Sequence, residues 1–274
     1  MAAAPKTTTA TPAHALPRAP ARLCRLDALR GLAMVWMTVY HFCFDLNYFG
    51  LIRQDFYFDP RWTWQRTGIV SLFLLCAGAG QALAVQQGQS WARFWRRWAQ
   101  VVGCAALVSV SSWFMFPHSW ISFGVLHGMA LMLLIVRWRL ACGGLQGAVP
   151  WVLGAVLVVA APVLSAWLIQ AGSSEVKAAF DSRWLNGLGV VTGKPPTEDY
   201  VPLLPWLGVM LWGVGAGQWL HGRRCAVRGA PLLTGAFGQG LARLGRWSLS
   251  YYMVHQPVLI GTLMALGALR KMVA

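Results

Sequence analysis

Apolar residues in this chain come in long unbroken runs. Seven lie near residues 28–49, 67–86, 98–117, 121–137, 148–170, 203–220 and 244–266. Each is about 17–23 residues, the length a helix needs to cross a bilayer. Only helices and closed barrels satisfy their backbone in lipid, and a barrel strand would alternate apolar and polar residues. The pattern therefore predicts an all-α polytopic membrane helix bundle with about seven transmembrane helices. Residues 1–25 are rich in Ala, Pro and Thr and lack the apolar core of a signal peptide, so they read as a flexible cytoplasmic tail. The expected division is that tail followed by one membrane domain over 26–270.

Composition strengthens the membrane reading. Of 274 residues, 57% are hydrophobic and 11% charged, with 16 Trp and a mean hydropathy of +0.52. Soluble domains carry about 25% charged residues. The net charge of +15 would suggest nucleic acid in a soluble protein, but its distribution argues otherwise. With the N-terminus in the cytoplasm, most of the 23 basic residues fall on the inner side, and of the 8 acidic ones only Asp27 does. That is the positive-inside pattern, and no nucleic-acid partner is implied. An odd number of spans puts the C-terminus outside. Cys24, Cys142 and Cys225 fall inside, and Cys43, Cys76 and Cys104 within spans, so no structural disulfide is expected. No zinc, P-loop or dinucleotide-binding pattern is present, so no bound cofactor or metal is implied. Gly78, Gly80, Gly213, Gly215 and Gly217 read as close helix packing.

Ionisable groups inside spans are costly, which makes them functional candidates. In the first run Asp27, Arg30, Met34, Thr38, His41 and Asp45 recur every three or four residues and so share one helical face. Asp45, one turn from His41, can fix its tautomer and stabilise its protonated form, as a general base or acyl-accepting histidine requires. A structural hydrogen-bonded pair fits the same spacing. His127 lies in the fourth run. In the seventh, Ser248, Tyr252 and His255 share a face. By depth His41, Asp45, His127 and His255 fall together, which suggests one polar cavity. Asp199 precedes the sixth run in Glu198–Trp206, as a helix-cap residue or an outer-mouth contact, with Trp206 as an interfacial aromatic. The inner arginines Arg25, Arg30, Arg96, Arg97, Arg223, Arg224 and Arg246 suit a phosphorylated cosubstrate or simply mark topology. Arg30 stands apart because it is on the polar stripe and can pair with Asp27.

Arg25-Leu26-Asp27-Ala28-Leu29-Arg30-Gly31, with His41-Phe42 and Asp45-Leu46 after it, resembles the opening of the heparan-α-glucosaminide N-acetyltransferase catalytic-domain family of bacteria. Leu72–Gly78, Phe123–His127, Pro202–Gly208 and Leu244–Leu249, with Tyr252 and His255-Gln256-Pro257, follow in that family's order. The resemblance spans roughly residues 22–266. It implies acyl transfer across a bacterial cytoplasmic (inner) membrane. Acetyl-CoA would be the cytoplasmic cosubstrate, and a sugar or glycan amine or hydroxyl outside would be the acceptor. On this reading His41 is the reactive or base histidine, oriented by Asp45, with His127 and His255 completing the catalytic set. Asp27, Arg30 and Arg246 would hold the cosubstrate, and Asp199, Trp206 and Tyr252 the acceptor. The lysosomal enzyme carries its reactive histidine after the first span. Residues 50–66 here contain no His, so His41 is assigned from the wider transmembrane acyltransferase pattern.

Two other classes remain open from the sequence. A small transporter could use the same buried charges as a proton or solute pathway, although no internal repeat is visible. A non-catalytic membrane partner protein is the other. Thioester cleavage separates the first reading from both, and flux into liposomes would identify a transporter.

Overall fold

The computed structural model describes residues 24–115, 117–197, 199–222 and 235–273. Arg223, Arg224 and Cys225 lie outside the described residues. The described residues form helices α1 (Cys24–Tyr48), α2 (Pro60–Gln86), α3 (Trp91–Met115), α4 (Val125–Ala141), α5 (Val149–Ala171), α6 (Ser174–Asp181), α7 (Leu203–Gly222), α8 (Ala236–Arg246) and α9 (Ser248–Val273). Five of them, α2, α3, α5, α7 and residues 248–269 of α9, are long and apolar enough to cross a membrane. In α1 the polar stripe dilutes the apolar content. The 17 residues of α4 reach only about 25 Å at 1.5 Å per residue.

The seventh apolar run proves to be two elements. Leu244–Arg246 end α8, and α9 begins after Trp247. The break follows from patterning. Gly238, Leu241, Ala242 and Gly245 of α8 are buried at i, i+3, i+4, i+7, while Phe237 and Trp247 are exposed. This small-residue face seats α8 on α1: a Cβ on Gly245 would collide with the Asp27 carbonyl oxygen, and one on Gly31 with that of Leu241.

Glycine contacts set the other close crossings. Gly78 faces Met210 of α7, and Gly213 and Gly217 face Leu75 and Ala79 of α2. Gly215 accommodates Trp151 of α5. Small residues allow such backbone approach where no hydrophobic force drives helices together in lipid. The contacts also reveal direction. Arg30 reaches Cys76 while Trp36 reaches Gln65, so α1 and α2 are antiparallel. Thr38 meets Tyr251 and Asp45 meets Gln256, so α1 and α9 run parallel.

The outer faces are apolar. On α5, Val152, Val156, Val159, Val163 and Trp167 are exposed, while Pro150, Gly154, Ala161 and Leu168 on the other side are buried. An exposed apolar face of that extent belongs against lipid in a chain of this composition. Arg137 of α4 is buried. Its guanidinium lies 4.9 Å from the Trp91 ring centroid and 5.4 Å from that of Phe94, and it donates to the Gln89 carbonyl. This fastens the α2–α3 turn to α4.

Candidate functional site

Two cavities enter the bundle from opposite ends. The larger, about 530 Å³, opens where α1 and α3 begin and α2 ends. Asp27, Arg30, Arg93, Arg97 and Arg246 line it, along with Gln81, Gln87 and Gln89. Deeper in, its wall is Met34, Phe73, Val125, Leu126 and Tyr252. Arg30 is held by Asp27 (3.0 Å) and by the Cys76 carbonyl (3.2 Å). Gly80 has no Cβ where that guanidinium lies. The cavity therefore has a basic mouth and a mostly apolar depth.

The smaller cavity, about 190 Å³, lies at the other end, where α2 and α7 begin. Its walls are Arg66, Thr67, Val70, Lys194, Asp199, Tyr200, Val201 and Trp206. The segment before α7 is folded into the protein here, with Thr197, Val201 and Pro202 buried. Because α4 is short, its N-terminus stops within the bundle and this segment meets it. Irregular backbone at such depth is tolerated where protein covers it or a cavity is lined. Gly128 gives room to the Val201 carbonyl. Asp199 Oδ2 accepts from the Val125 amide at 2.8 Å. A Cβ on Gly124 would stand 2.5 Å from that oxygen, so only glycine lets the carboxylate in. Asp199 thus caps α4, distant in sequence, and not the helix it precedes.

The cavities meet at one contact. Tyr252, on the wall of the large cavity, has its side chain beside that of Asp199, on the wall of the small one. Val125, whose amide holds Asp199, also lines the large cavity. Burial pushes the Asp199 carboxyl above its ordinary range, while the Val125 amide, Arg66 and Lys194 pull the other way.

The histidines are arranged differently. His41 and His255 come together across α1 and α9, with ring centroids 5.2 Å apart. Asp45 is buried and accepts from Gln256 Nε2 at 2.7 Å, a partner that sequence spacing had not singled out. Asp45 Oδ2, Gln256 Oε1 and His255 Nε2 are buried without a hydrogen-bond partner. His255 Nδ1 contacts the Tyr252 carbonyl at 2.7 Å, and its ring stacks on Tyr251. His127 lies elsewhere, with Nε2 3.1 Å from Ser109 Oγ and Nδ1 accepting from the Gly124 amide. None of these four residues is among those lining the two cavities. Arg96 and Arg25 are also absent from both linings, whereas Arg93 and Arg97 are present.

Arg66 and Lys194 had attracted no attention in the sequence, because their approach to Asp199 is made by folding the loop against α2. Among the described residues, no group of His, Cys, Asp and Glu is arranged to hold a metal ion. No curated protein and no solved structure matches the chain. The profile of the family described as "Heparan-alpha-glucosaminide N-acetyltransferase, catalytic" does match, over residues 22–257. That range includes both cavities and the α1–α9 contacts of Asp45 with Gln256 and His41 with His255, and by it the chain belongs to the heparan-α-glucosaminide N-acetyltransferase catalytic-domain family.

Proposed function

We propose that the protein is a membrane acetyltransferase that takes acetyl-CoA into the large cavity and a sugar or glycan amine or hydroxyl into the small one. The observation that carries this reading is the pair of cavities from opposite ends, separated by the Tyr252–Asp199 contact. The basic mouth suits the phosphates of CoA, since guanidinium groups bind phosphate in a fixed fork. The apolar depth suits the pantetheine arm and acetyl group. Trp206 and Tyr200 offer aromatic surfaces to a sugar. Seven long helices of alternating direction cross a bacterial inner membrane, with the arginine end in the cytoplasm and the C-terminus outside. The antiparallel α1–α2 pair and the parallel α1–α9 pair support that topology.

For His41, Asp45, His127 and His255, the candidate catalytic set of the sequence, we propose positioning roles that fit their contacts. His255 braces the turn that carries Tyr252. His41 and Asp45 set the α1–α9 register. His127 secures the α4 start beside Asp199.

The test is CoA release from acetyl-CoA by the full chain in nanodiscs, with a panel of amino sugars and glycans. Acceptor-dependent release is expected. Its absence, together with no binding of labelled acetyl-CoA, would overturn the reading, and liposome flux would then be measured for a transporter.

A further inference from the structure

Acyl transfer between two cavities leaves a proton to be moved. The acceptor loses one on the small-cavity side, and the departing CoA thiolate needs one on the large-cavity side. The residues able to do this are few. The described histidines of the membrane helices line neither cavity. Of the described carboxylates, Asp27 is held by Arg30 at the basic mouth, and Asp45 lies behind the wall with Gln256. Asp55 and Asp59 order the turn before α2. Glu175 and Asp181 bond to hydroxyls around α6. Asp199 is the described carboxylate on the wall of the small cavity, its oxygen is held by the amide of Val125 on the wall of the other, and its neighbour Tyr252 is on that other wall too.

We propose that Asp199 and Tyr252 are catalytic residues forming a proton relay between the two cavities. The proposal rests on the acetyltransferase reading. The acceptor nitrogen or oxygen attacks the thioester carbonyl carbon, forming the new C–N or C–O bond. Asp199 takes the proton that this atom loses. The C–S bond breaks, and Tyr252 passes its hydroxyl proton to the sulfur, giving CoA as the thiol. Asp199 returns the acquired proton to the Tyr252 oxygen. Both residues end as they began, nothing is oxidised or reduced, and no solvent channel is needed between the two sides.

Local construction fits this task. The Val125 amide fixes one carboxylate oxygen, and the missing Cβ at Gly124 lets the group reach that depth. Arg66 and Lys194, on the same cavity wall, favour the carboxylate form needed to accept a proton. His255 holds the Tyr252 backbone through its carbonyl.

The experiment compares wild type, Asp199→Asn, Asp199→Glu and Tyr252→Phe as full chains in nanodiscs. Each is given acetyl-CoA and glucosamine, CoA release is followed, and binding of labelled acetyl-CoA is measured in parallel. General acid–base groups contribute about 10²–10⁴-fold. Asp199→Asn and Tyr252→Phe are expected to lower kcat by about 100-fold or more, with acetyl-CoA affinity within about 3-fold of wild type. Asp199→Glu, which keeps a carboxylate, is expected to recover part of the loss. Retention of kcat within about 3-fold by either Asp199→Asn or Tyr252→Phe would overturn the relay while leaving the acetyltransferase reading intact. No CoA release by wild type, together with no binding of labelled acetyl-CoA, would overturn both.

Discussion

The large cavity is basic, wide and lined by side chains from helices that sequence periodicity reveals. The small cavity is mixed in charge, and half of its lining comes from a folded-in loop. The first is built as a phosphate-attracting mouth on an apolar shaft. The second places two cations, one carboxylate and two aromatics around a space of about 190 Å³. On the proposed function, this difference is how one bundle would address two chemically unlike substrates, with helix ends supplying the charge for a polyanion and a loop the finer recognition of a small polar group.

The sharpest way to break this division is to attack the partition. Gly124→Val would drive a side chain into the space of the Asp199 carboxylate. Turnover is expected to fall by about 100-fold or more, with acetyl-CoA affinity nearly unchanged. Equal loss of both in a well-folded variant would show that the cavities are not independent.

On the large-cavity side, Arg93→Ala and Arg246→Ala are each expected to raise the acetyl-CoA KM about 10-fold, equivalent to roughly 1.4 kcal/mol. The acceptor KM should not move. Titration of both substrates checks the split.

Trp206→Ala is the mirror test. It should raise the acceptor KM about 3- to 10-fold and leave acetyl-CoA alone, since it removes an aromatic surface and no charge. A change in the donor KM instead would place the donor in the wrong cavity.

The pH profile sharpens the comparison further. Arg66 of α2, Lys194 of the incoming loop, Tyr252 of α9 and the α4 amide of Val125 face Asp199. Burial outweighs them and raises its pKa. Activity needing the carboxylate should therefore fall as pH drops through a limb above the ordinary Asp value of about 3.9. The profile of kcat/KM checks it, and a limb at or below that value would contradict the assignment. The smallest effect is expected on the lipid-facing side, where Val159→Ala should change turnover by less than about 2-fold.

The helix class was legible because apolar run length is a property of the chain alone. The grouping of Asp27, Arg30 and Arg246 at one end was legible as well, since all three lie near helix ends in a basic block, and all line the large cavity. The grouping of His41, Asp45, His127 and His255 rested on depth. Depth is one coordinate, whereas rotation about each helix axis is set by contacts with partners far along the chain. The structure accordingly seats His41 by His255 and turns His127 toward Ser109. Asp199 was visible as a polar residue before a helix, but its partner Val125 belongs to another helix, a relation without any spacing signal. The α8–α9 break was hidden because Leu244–Arg246 continue directly into an apolar run.

The central claim is transfer between opposite faces. It is tested most directly in proteoliposomes sorted by orientation, using an impermeant maleimide on the exposed Cys142 at the arginine end. Acetyl-CoA is supplied on one face and an impermeant amino-sugar acceptor on the other. Acetylated acceptor is expected only when acetyl-CoA is on the Cys142 face and the acceptor on the opposite one. Product formed with both substrates confined to a single face would contradict it.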